Sequence, residues 1–381
     1  MKKKICFTFP HLSEFGGGEI FCEYLCNYLS QFYKIDLVFY KSNQINQKLR
    51  FNKNINLVEI KSNNFFVNYF CKKYIAIAQL FIIKYLSNKK YFFIFSGAGE
   101  FFNKNSTVYQ YIHHPFYSLN PVHYLSMGLK KNNLIKISLR FFLSIYARIL
   151  FKINQSHYLK TYTIVNSNWI KFRVKQIYPY LKSKVVYPTF KIPEFSKINF
   201  QKFEKKNNDF VILGRVSRDK KTIEGINFFL NFKKNNRHLN IGKLHIIGPV
   251  EKKIENKVNK IKKLFINDCC FHSYLSLKKR DKILKKSKYG LHFFHGEHFG
   301  RSILEMQKMG LIVFAHNSGG SREILLSKLQ KYNNFIDLEN NINQVMLNNL
   351  MRKKIFKTIK DKLKDNFTDK QFKNNIKKIL N

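Results

Sequence analysis

Acidic residues are scarce in this chain. Its 381 residues include 23 Asp and Glu against 69 Lys and Arg, which gives a formal net charge of +46 at pH 7. A charge of this size favours polyanions or an anionic membrane surface as partners. Coding bias toward lysine on solvated faces accounts for most of the excess. An anionic membrane surface is the main partner expected for the rest.

Motifs for nucleic-acid recognition are missing. The sequence contains no zinc finger, no RNP-like motif and no basic-aromatic module of a known kind. Specific binding of nucleic acid is therefore not expected. A basic protein that binds nucleic acid through bulk charge alone stays as an alternative, and steeply salt-dependent binding without sequence preference is its mark.

Cysteines are few, and their spacing is not that of a metal site. The six cysteines form no CxxC pair and no finger spacing. Cys22 and Cys26 share one face of a predicted helix, which favours core packing over metal binding. No metal site is expected, and the set suits reduced thiols in a cytosolic compartment.

Long uncharged hydrophobic runs are absent as well. Residues 5–9 are too short for a signal-peptide core, and no stretch reaches the length of a transmembrane helix. Residues 74–83 and 134–153 come nearer, but lysines and arginines flank or interrupt them. Both resemble basic, aromatic-rich interfacial helices, with ordinary buried helices as the alternative. We expect a cytoplasmic protein, peripheral at the cytoplasmic face of a membrane.

What the sequence does contain is an alternation of strand-like and helix-like segments in two series. The first series predicts strands at residues 5–9, 35–40, 56–60, 91–95, 107–112, 163–166 and 184–187, with a helix at 20–31. The second predicts strands at 210–213, 243–247, 289–294 and 311–315, helices at 222–232, 251–263, 302–309 and 321–329, and a helical tail after 340. This alternation is typical of parallel sheets. The fold class is therefore α/β, with two Rossmann-like domains.

Two glutamates lie on either side of a Gly-Arg-Ser turn in the second series. Glu297 follows a predicted strand, and Glu305 lies in the first turns of the helix that Gly300 opens. The exposed amides of Gly300, Arg301 and Ser302 predict an anion site that suits a diphosphate. Carboxylates accept hydrogen bonds from vicinal hydroxyls, so Glu305 suits a ribose and Glu297 a sugar. The alternative is a helix cap for Glu305 and a solvated loop residue for Glu297.

The segment EHFGRSILE, residues 297–305, resembles the E-x7-E motif of retaining glycosyltransferases of family 4, which have the GT-B fold. Residues 296–320 resemble the mannosyltransferases that extend lipid-linked oligosaccharides with GDP-mannose, and AHNSGG is a specific part of that match. The resemblance implies two Rossmann-like domains that face each other across a cleft. It also implies retaining transfer of a hexose, with mannose favoured, from a nucleotide diphosphate sugar and without a metal.

On this resemblance the chain divides by task. Residues 1–190 form an acceptor-binding domain, 191–208 a linker and 209–360 a nucleotide-sugar-binding domain. Residues 361–381 form a C-terminal helix that packs back on the first domain. The implied partners are the nucleotide sugar, as co-substrate rather than cofactor, and a glycolipid or glycan acceptor.

The donor site follows from further matches. LGRVSRDKK, residues 213–221, resembles the family's GRLxxxKG, so Arg215 and Lys220 are expected to grip the diphosphate. Lys221 stands where the family has glycine. The expected donor-binding residues are Gly16, Gly17, Gly18, Arg215, Lys220, Gly248, Glu297, His298, Phe299, Gly300, Arg301, Ser302 and Glu305.

The acceptor side is predicted from YIHHPFYS, residues 111–118. By register with the family's H-x-P, His113 is the histidine near the transferring sugar, and His114 is its neighbour. Asn166 and Ser167 are expected to face the same cleft. The expected catalytic residues are His113, Glu297, Arg215 and Lys220. A UDP-hexose or UDP-N-acetylhexosamine donor, or a non-catalytic subunit that binds sugar or nucleotide, are the alternatives.

Overall fold

The computed structural model describes residues 2–13, 16–41, 44–115, 161–195, 199–273, 275–364 and 366–381, together with Ser138 and Phe142. The chain divides into two compact units, unit 1 (Met1–Phe190) and unit 2 (Lys191–Asn381). The segment 134–153, one of the two predicted interfacial helices, lies outside the described residues apart from Ser138 and Phe142.

Unit 1 is built on a parallel sheet, as its strand-helix alternation predicts. Its described strands are β1 (Lys4–Thr8), β2 (Lys34–Tyr40), β3 (Ile55–Ile60), β4 (Phe93–Ser96), β5 (Thr107–Ile112), β6 (Thr161–Val165) and β7 (Ser183–Val185). They pair in the order β3-β2-β1-β4-β5-β6-β7, and every pairing is parallel. The described helices of this unit are α1 (Gly17–Leu29), α2 (Phe65–Lys73), α3 (Ile75–Leu86) and α4 (Asn168–Ile177).

Unit 2 repeats the architecture with a second parallel sheet. Its strands are β8 (Asn207–Leu213), β9 (Leu244–Ile247), β10 (Cys269–His272), β11 (Ser287–His292), β12 (Ile312–His316) and β13 (Lys331–Tyr332), paired in the order β10-β9-β8-β11-β12-β13. Its α-helices are α5 (Phe200–Glu204), α6 (Thr222–Asn235), α7 (Glu255–Leu264), α8 (Leu277–Lys286), α9 (Arg301–Lys308), α10 (Phe335–Leu347), α11 (Asn349–Leu363) and α12 (Asp369–Leu380). Both sheets are therefore of the Rossmann-like, parallel type.

Two details differ from the sequence prediction. The expected linker, residues 191–208, holds α5 and the start of β8, so part of it is regular structure of unit 2. The helix predicted at 321–329 is wrong, because two short 3-10 turns, Gly320–Glu323 and Lys328–Gln330, occupy it. The Gln330 side chain accepts from the amides of Leu326 and Ser327, which replaces the helical hydrogen bonds there.

The other predicted interfacial segment, residues 74–83, is largely α3, and α3 is mainly a core helix. Ala78, Ile82, Ile83 and Leu86 are buried in a cluster beneath β1, β2 and β4. The buried-helix alternative is therefore correct for this segment. No helix in the described ranges has both the length and the apolar character needed to cross a membrane.

Five of the six cysteines belong to these cores. Cys6, Cys22, Cys26 and Cys71 are free and buried in unit 1, and Cys269 is free and buried in unit 2. Burial raises the pKa of the Cys71 thiol to about 11. A thiol with a raised pKa is a poor metal ligand and a poor nucleophile, so Cys71 acts as a small apolar group.

One buried amide in unit 2 lacks any partner among the described residues. Gln307 of α9 is fully buried, and neither its Oε1 nor its Nε2 has a hydrogen-bond partner within the described ranges. An unsatisfied buried polar group costs about 1–3 kcal/mol. We therefore expect Gln307→Met, which keeps the side-chain length, to raise the free energy of unfolding by about 1–3 kcal/mol in urea titrations.

A matched control is available in the same unit. Gln330 is also fully buried, but its Nε2 donates to Val313 O at 3.1 Å and its Oε1 accepts two backbone amides. Gln330→Met should lower the free energy of unfolding because it leaves those groups unsatisfied. A loss of stability in both variants would show that Gln307 is hydrogen-bonded in solution.

Candidate active site

Two loops meet beyond the carboxyl ends of the neighbouring strands β11 and β12. Glu297 lies in the loop after β11 and forms a backbone bridge with Gly319 in the loop after β12. Gly320 N donates to Glu297 O at 2.6 Å, and Gly296 N donates to Ser318 Oγ at 2.8 Å. Ligands of open α/β sheets bind at this edge. Hydrogen bonds therefore join the two loops at the edge of the sheet where a ligand is expected.

The Glu297 carboxylate is oriented by three contacts within the site. Its Oε2 lies 2.9 Å from Lys220 Nζ and 3.1 Å from His292 Nε2, and its Oε1 accepts from His298 N at 3.1 Å. Burial acts to raise the pKa of this carboxyl, but the Lys220 ammonium and the His292 hydrogen bond outweigh burial and hold the pKa well below its usual range. Glu297 is therefore an ionised, oriented acceptor at neutral pH, not a solvated loop residue.

Lys220 reaches this carboxylate from another strand end. It lies between β8 and α6, and its Nζ is 3.9 Å from the centroid of the Phe294 ring. The side chain keeps 30% of its surface exposed, against 14% for Glu297. An ammonium has three donors. Lys220 can therefore pair with Glu297 and still donate a hydrogen bond to an anionic ligand from its exposed side.

Glu305 is held by two arginines. Its Oε2 lies 3.2 Å from Arg280 Nη1 of α8, and its Oε1 lies 3.5 Å from Arg301 Nη2. The residue that caps α9 is Gly300, at φ +103°, so the helix-cap alternative for Glu305 is wrong. Arg280 fixes the direction of this carboxylate. The sequence offers no signal for it, because Arg280 is one cation in the lysine-rich segment LKKRDKILKK.

The start of α9 keeps the form that an anion site needs. Gly300 is left-handed, and as the N-cap residue it supplies no capping side chain. The amides of the first turn have no intrahelical partner, and the helix dipole favours an anion beside them. Anion binding here stays a prediction. Phe299 is almost fully buried and lies 6.2 Å from Phe367 between ring centroids, so its ring contributes to packing.

Arg215 forms its ion pair within its own loop and not with Glu297. Its Nη2 lies 3.4 Å from Asp219 Oδ2 in its own loop, and the side chain is more than half exposed. Gly248 follows the neighbouring strand β9 at φ +148°, and a Cβ on it would lie 2.0 Å from Gly214 O. The glycine is therefore required for the close approach of two strand ends. The structure joins Lys220 to Glu297, and Arg301 to Glu305, while Arg215 stays in its own loop.

A histidine pair beside Glu297 was not predicted. The rings of His295 and His316 stack with centroids 3.6 Å apart, and Lys221 Nζ lies 3.0 Å from His295 Nε2. Burial, the neighbouring His316 ring and the Lys221 ammonium lower the pKa of His295 to about 4. Lys221 itself adopts φ +52° where the family has glycine, so the left-handed turn is kept despite the side chain.

In unit 1 the predicted residues lie at the carboxyl ends of β1, β5 and β6. His113 follows β5, and its ring packs on Phe21 and Tyr111 with centroids 4.6 and 4.7 Å away. Its carbonyl accepts from Asn166 Nδ2 at 3.1 Å, which joins the ends of β5 and β6. His114 is the next residue and is half-buried.

Two of the predicted acceptor residues have a structural task. Asn166 and Ser167 are buried, and Ser167 Oγ accepts from Ile170 N at 3.1 Å as the cap of α4.

The glycine loop of residues 16–18 runs directly into α1. Gly16 caps that helix, and its amide donates to Glu19 Oε2 at 3.0 Å.

Comparison with solved structures defines the class. The structure of Anabaena Alr3699/HepE in complex with UDP and glucose superposes with a TM-score of 0.64 at 14% identity and covers 99% of both chains. Sucrose-phosphate synthase from Thermosynechococcus elongatus gives a TM-score of 0.68 at 12% identity and covers 100% of this chain and 98% of its own. The chain has the GT-B fold, with two parallel-sheet, Rossmann-like domains.

Within that fold, residues 194–362 match the family described as Glycosyl transferases group 1. Unit 2 therefore carries a group 1 glycosyltransferase domain, which confirms the resemblance drawn from residues 297–305. The matched range contains Lys220, Glu297, Arg280 and Glu305.

Curated relatives share part of this sequence. A GDP-Man:Man(3)GlcNAc(2)-PP-Dol alpha-1,2-mannosyltransferase from Candida glabrata is 26% identical over 234 residues, which are 56% of this chain and 44% of the relative. The protein of the same description from Xenopus tropicalis is 28% identical over 166 residues, 42% of this chain and 34% of the relative. The chain aligns with less than half the length of these relatives.

Proposed function

We propose that this chain is a retaining glycosyltransferase that moves a hexose, with mannose favoured, from a nucleotide diphosphate sugar to a lipid-linked or surface glycan acceptor. The observation that carries the proposal is the Lys220–Glu297 pair, 2.9 Å apart at the carboxyl end of the unit 2 sheet. The pair lies inside the matched glycosyltransferase domain. It combines a cation for a leaving diphosphate with an ionised acceptor for sugar hydroxyls.

The chemical task is to stabilise a diphosphate as it leaves and a sugar that becomes oxocarbenium-like. Lys220 pairs with Glu297 at 2.9 Å, and the N-terminus of α9 after Gly300 adds positive potential. Arg215 is half exposed and would turn from Asp219 to reach the diphosphate. Because these groups supply the positive charge, we propose that the reaction needs no metal.

Glu305 has a separate task in this proposal. Its carboxylate, oriented by Arg280 and Arg301, accepts hydrogen bonds from the ribose hydroxyls of the nucleotide. The two arginines limit the rotamers of the carboxylate. A pre-oriented acceptor loses less conformational entropy when the ligand binds.

The names of the curated relatives support GDP-mannose as the donor. A thermal-shift panel of GDP, UDP, GDP-mannose and UDP-hexoses tests this, with mannose alone as the control. Ligand at a hundred times its Kd adds about 2.7 kcal/mol to the stability of the folded state, so a shift of several degrees in Tm is expected for GDP and GDP-mannose. Shifts with the uridine compounds alone would assign the chain to UDP-sugar-dependent polysaccharide synthesis instead.

The acceptor and its location complete the proposal. The relatives' names describe a diphosphate-linked lipid as their acceptor, and the net charge of +46 suits an anionic surface. We propose a glycolipid acceptor and a peripheral position at the cytoplasmic face of a membrane. Liposome flotation tests this location directly.

A further inference from the structure

Helix α2 is unusual for the amount of aromatic surface it exposes. Phe65 and Phe66 are 76% and 70% exposed, and Val67, Tyr69 and Phe70 are exposed as well. Cys71 is its one buried residue among those whose side chains are described. Five exposed apolar side chains on a nine-residue helix form a contiguous patch, which marks an interaction surface rather than a normal solvated face.

The helix is held firmly to the rest of unit 1. Asn64 caps it by accepting from Val67 N at 3.1 Å, and Asn68 Oδ1 accepts from Tyr40 Oη at 2.7 Å. His11 Nε2 donates to Cys71 O at 2.8 Å, and the Cys71 side chain lies in the core with Ala78 of α3. One side of α2 is therefore anchored, and the aromatic side chains stay outside on a fixed support.

The surroundings of these aromatic side chains are basic. Residues 61–90, which include α2 and α3, contain six lysines and no Asp or Glu. Lys72 of α2 and Lys61 shortly before the helix are exposed, so cations flank the aromatic side chains along the chain. Aromatic side chains on an interfacial helix insert at the headgroup level of a bilayer, and nearby lysines are attracted to an anionic leaflet. The surface therefore fits anionic lipid by both its exposed aromatic side chains and its charge.

The position of α2 beside the sheet relates this surface to the expected acceptor site. Tyr40 ends β2 and His11 follows β1, so the two hydrogen bonds tie α2 to the carboxyl edge of the unit 1 sheet. The predicted acceptor residue His113 follows β5 at that same edge. A membrane that receives the aromatic side chains would thus lie beside the edge where the acceptor is expected.

We propose that α2 is a membrane-docking helix, which inserts Phe65 and Phe66 among the headgroups of an anionic bilayer and holds the acceptor edge of unit 1 at that surface. The role of docking in presenting the acceptor rests on the proposed function, but the docking of α2 to a membrane does not.

Flotation of the full chain with vesicles tests the proposal. We expect binding to vesicles of phosphatidylcholine and phosphatidylglycerol, and weaker binding to phosphatidylcholine alone. The double variant Phe65→Ser, Phe66→Ser should bind the anionic vesicles about tenfold or more weakly, because the inserted apolar area is lost. The control is Phe172→Ser on α4, a phenylalanine that is 59% exposed, and it should bind as the unaltered chain does.

A second measurement separates insertion from attraction by charge. Phe66→Trp, in a Trp169→Phe background, places the only tryptophan of the chain on α2, and its emission should shift to shorter wavelength on anionic vesicles. Failure of the full chain to float, unchanged binding of the double variant, or an equal loss in Phe172→Ser would overturn the proposal. Self-association that the double variant abolishes, without vesicle binding, would assign α2 to a second copy of the chain and overturn it as well.

These outcomes are independent of the proposed enzymatic function. The flotation assay contains no nucleotide, and the thermal-shift panel contains no vesicle. A chain that binds GDP but not vesicles would refute the docking helix and the membrane location, and would leave the glycosyltransferase proposal standing. A chain that binds vesicles through α2 but no nucleotide would refute the glycosyltransferase proposal alone.

Discussion

Lys220→Ala is expected to lower the rate of glycosyl transfer by about 10²–10³-fold, the effect of removing one pre-organised donor from a developing anion. The substitution removes the cation nearest to Glu297 and leaves that carboxylate with His292 and one backbone amide. Single-turnover rates at saturating donor measure the effect on the chemical step. Binding of donor should weaken too, because the exposed side of the ammonium is expected to contact the diphosphate.

The control for Lys220 is another partly buried lysine of the same unit. Lys233 Nζ lies 2.9 Å from Asp268 Oδ1, and its side chain is 29% exposed against 30% for Lys220. Lys233→Ala removes a comparable ion pair away from the loops of the site, so it should leave the transfer rate unchanged. Equal losses of rate in the two variants would mean that Lys220 acts only through the stability of unit 2.

The same variant changes how stability depends on pH. The folded-state pKa of Glu297 is depressed, so its contribution is present above the ordinary carboxyl pKa and is lost as pH falls through the folded-state value. Lys220→Ala removes the group that does most to lower the pKa of Glu297 against the effect of burial. The folded-state pKa of Glu297 therefore rises in the variant. The stability that the unaltered chain gains between acidic and neutral pH should therefore shrink in the variant.

How much of this site the sequence could predict depends on how local each feature is. Strand ends and helix starts are local, so the positions of Lys220, Glu297 and Gly300 followed from periodicity, glycine and the family resemblance. The pairing of Glu297 with Lys220 links residues 77 positions apart, and only the sheet order β8-β11 brings them together. Periodicity carries no information about that neighbour.

Residues whose task depends on a distant partner were missed for the same reason. Arg280 is one of several cations in α8, and only the folded chain shows that it is the one that contacts Glu305. His295 and His316 lie at the ends of neighbouring strands and stack only when the sheet forms. The sequence could not distinguish an interfacial helix from a buried one at residues 74–83, because an apolar run looks the same whether it faces lipid or core.

The glycine pair in AHNSGG gives the second large prediction. Gly319 has φ +74°, and a Cβ on it would lie 2.3 Å from Glu297 O and 2.7 Å from Glu297 N. Gly319→Ala should lower the free energy of unfolding by about 2–5 kcal/mol, because the left-handed conformation and the backbone clash both oppose the side chain. Urea unfolding measures this loss, and thermal shift measures the accompanying loss of nucleotide binding.

Gly17→Ala is the control for stability, because a Cβ there would meet nothing within 4 Å and the residue is the first of α1. It should be neutral or stabilise by up to about 1 kcal/mol. A Gly319→Ala variant that unfolds like the unaltered chain would mean that the loops after β11 and β12 do not touch. The steric demand of that contact explains why a glycine must follow AHNS: without it, the backbone of Glu297 could not be held where its carboxylate meets both Lys220 and His292.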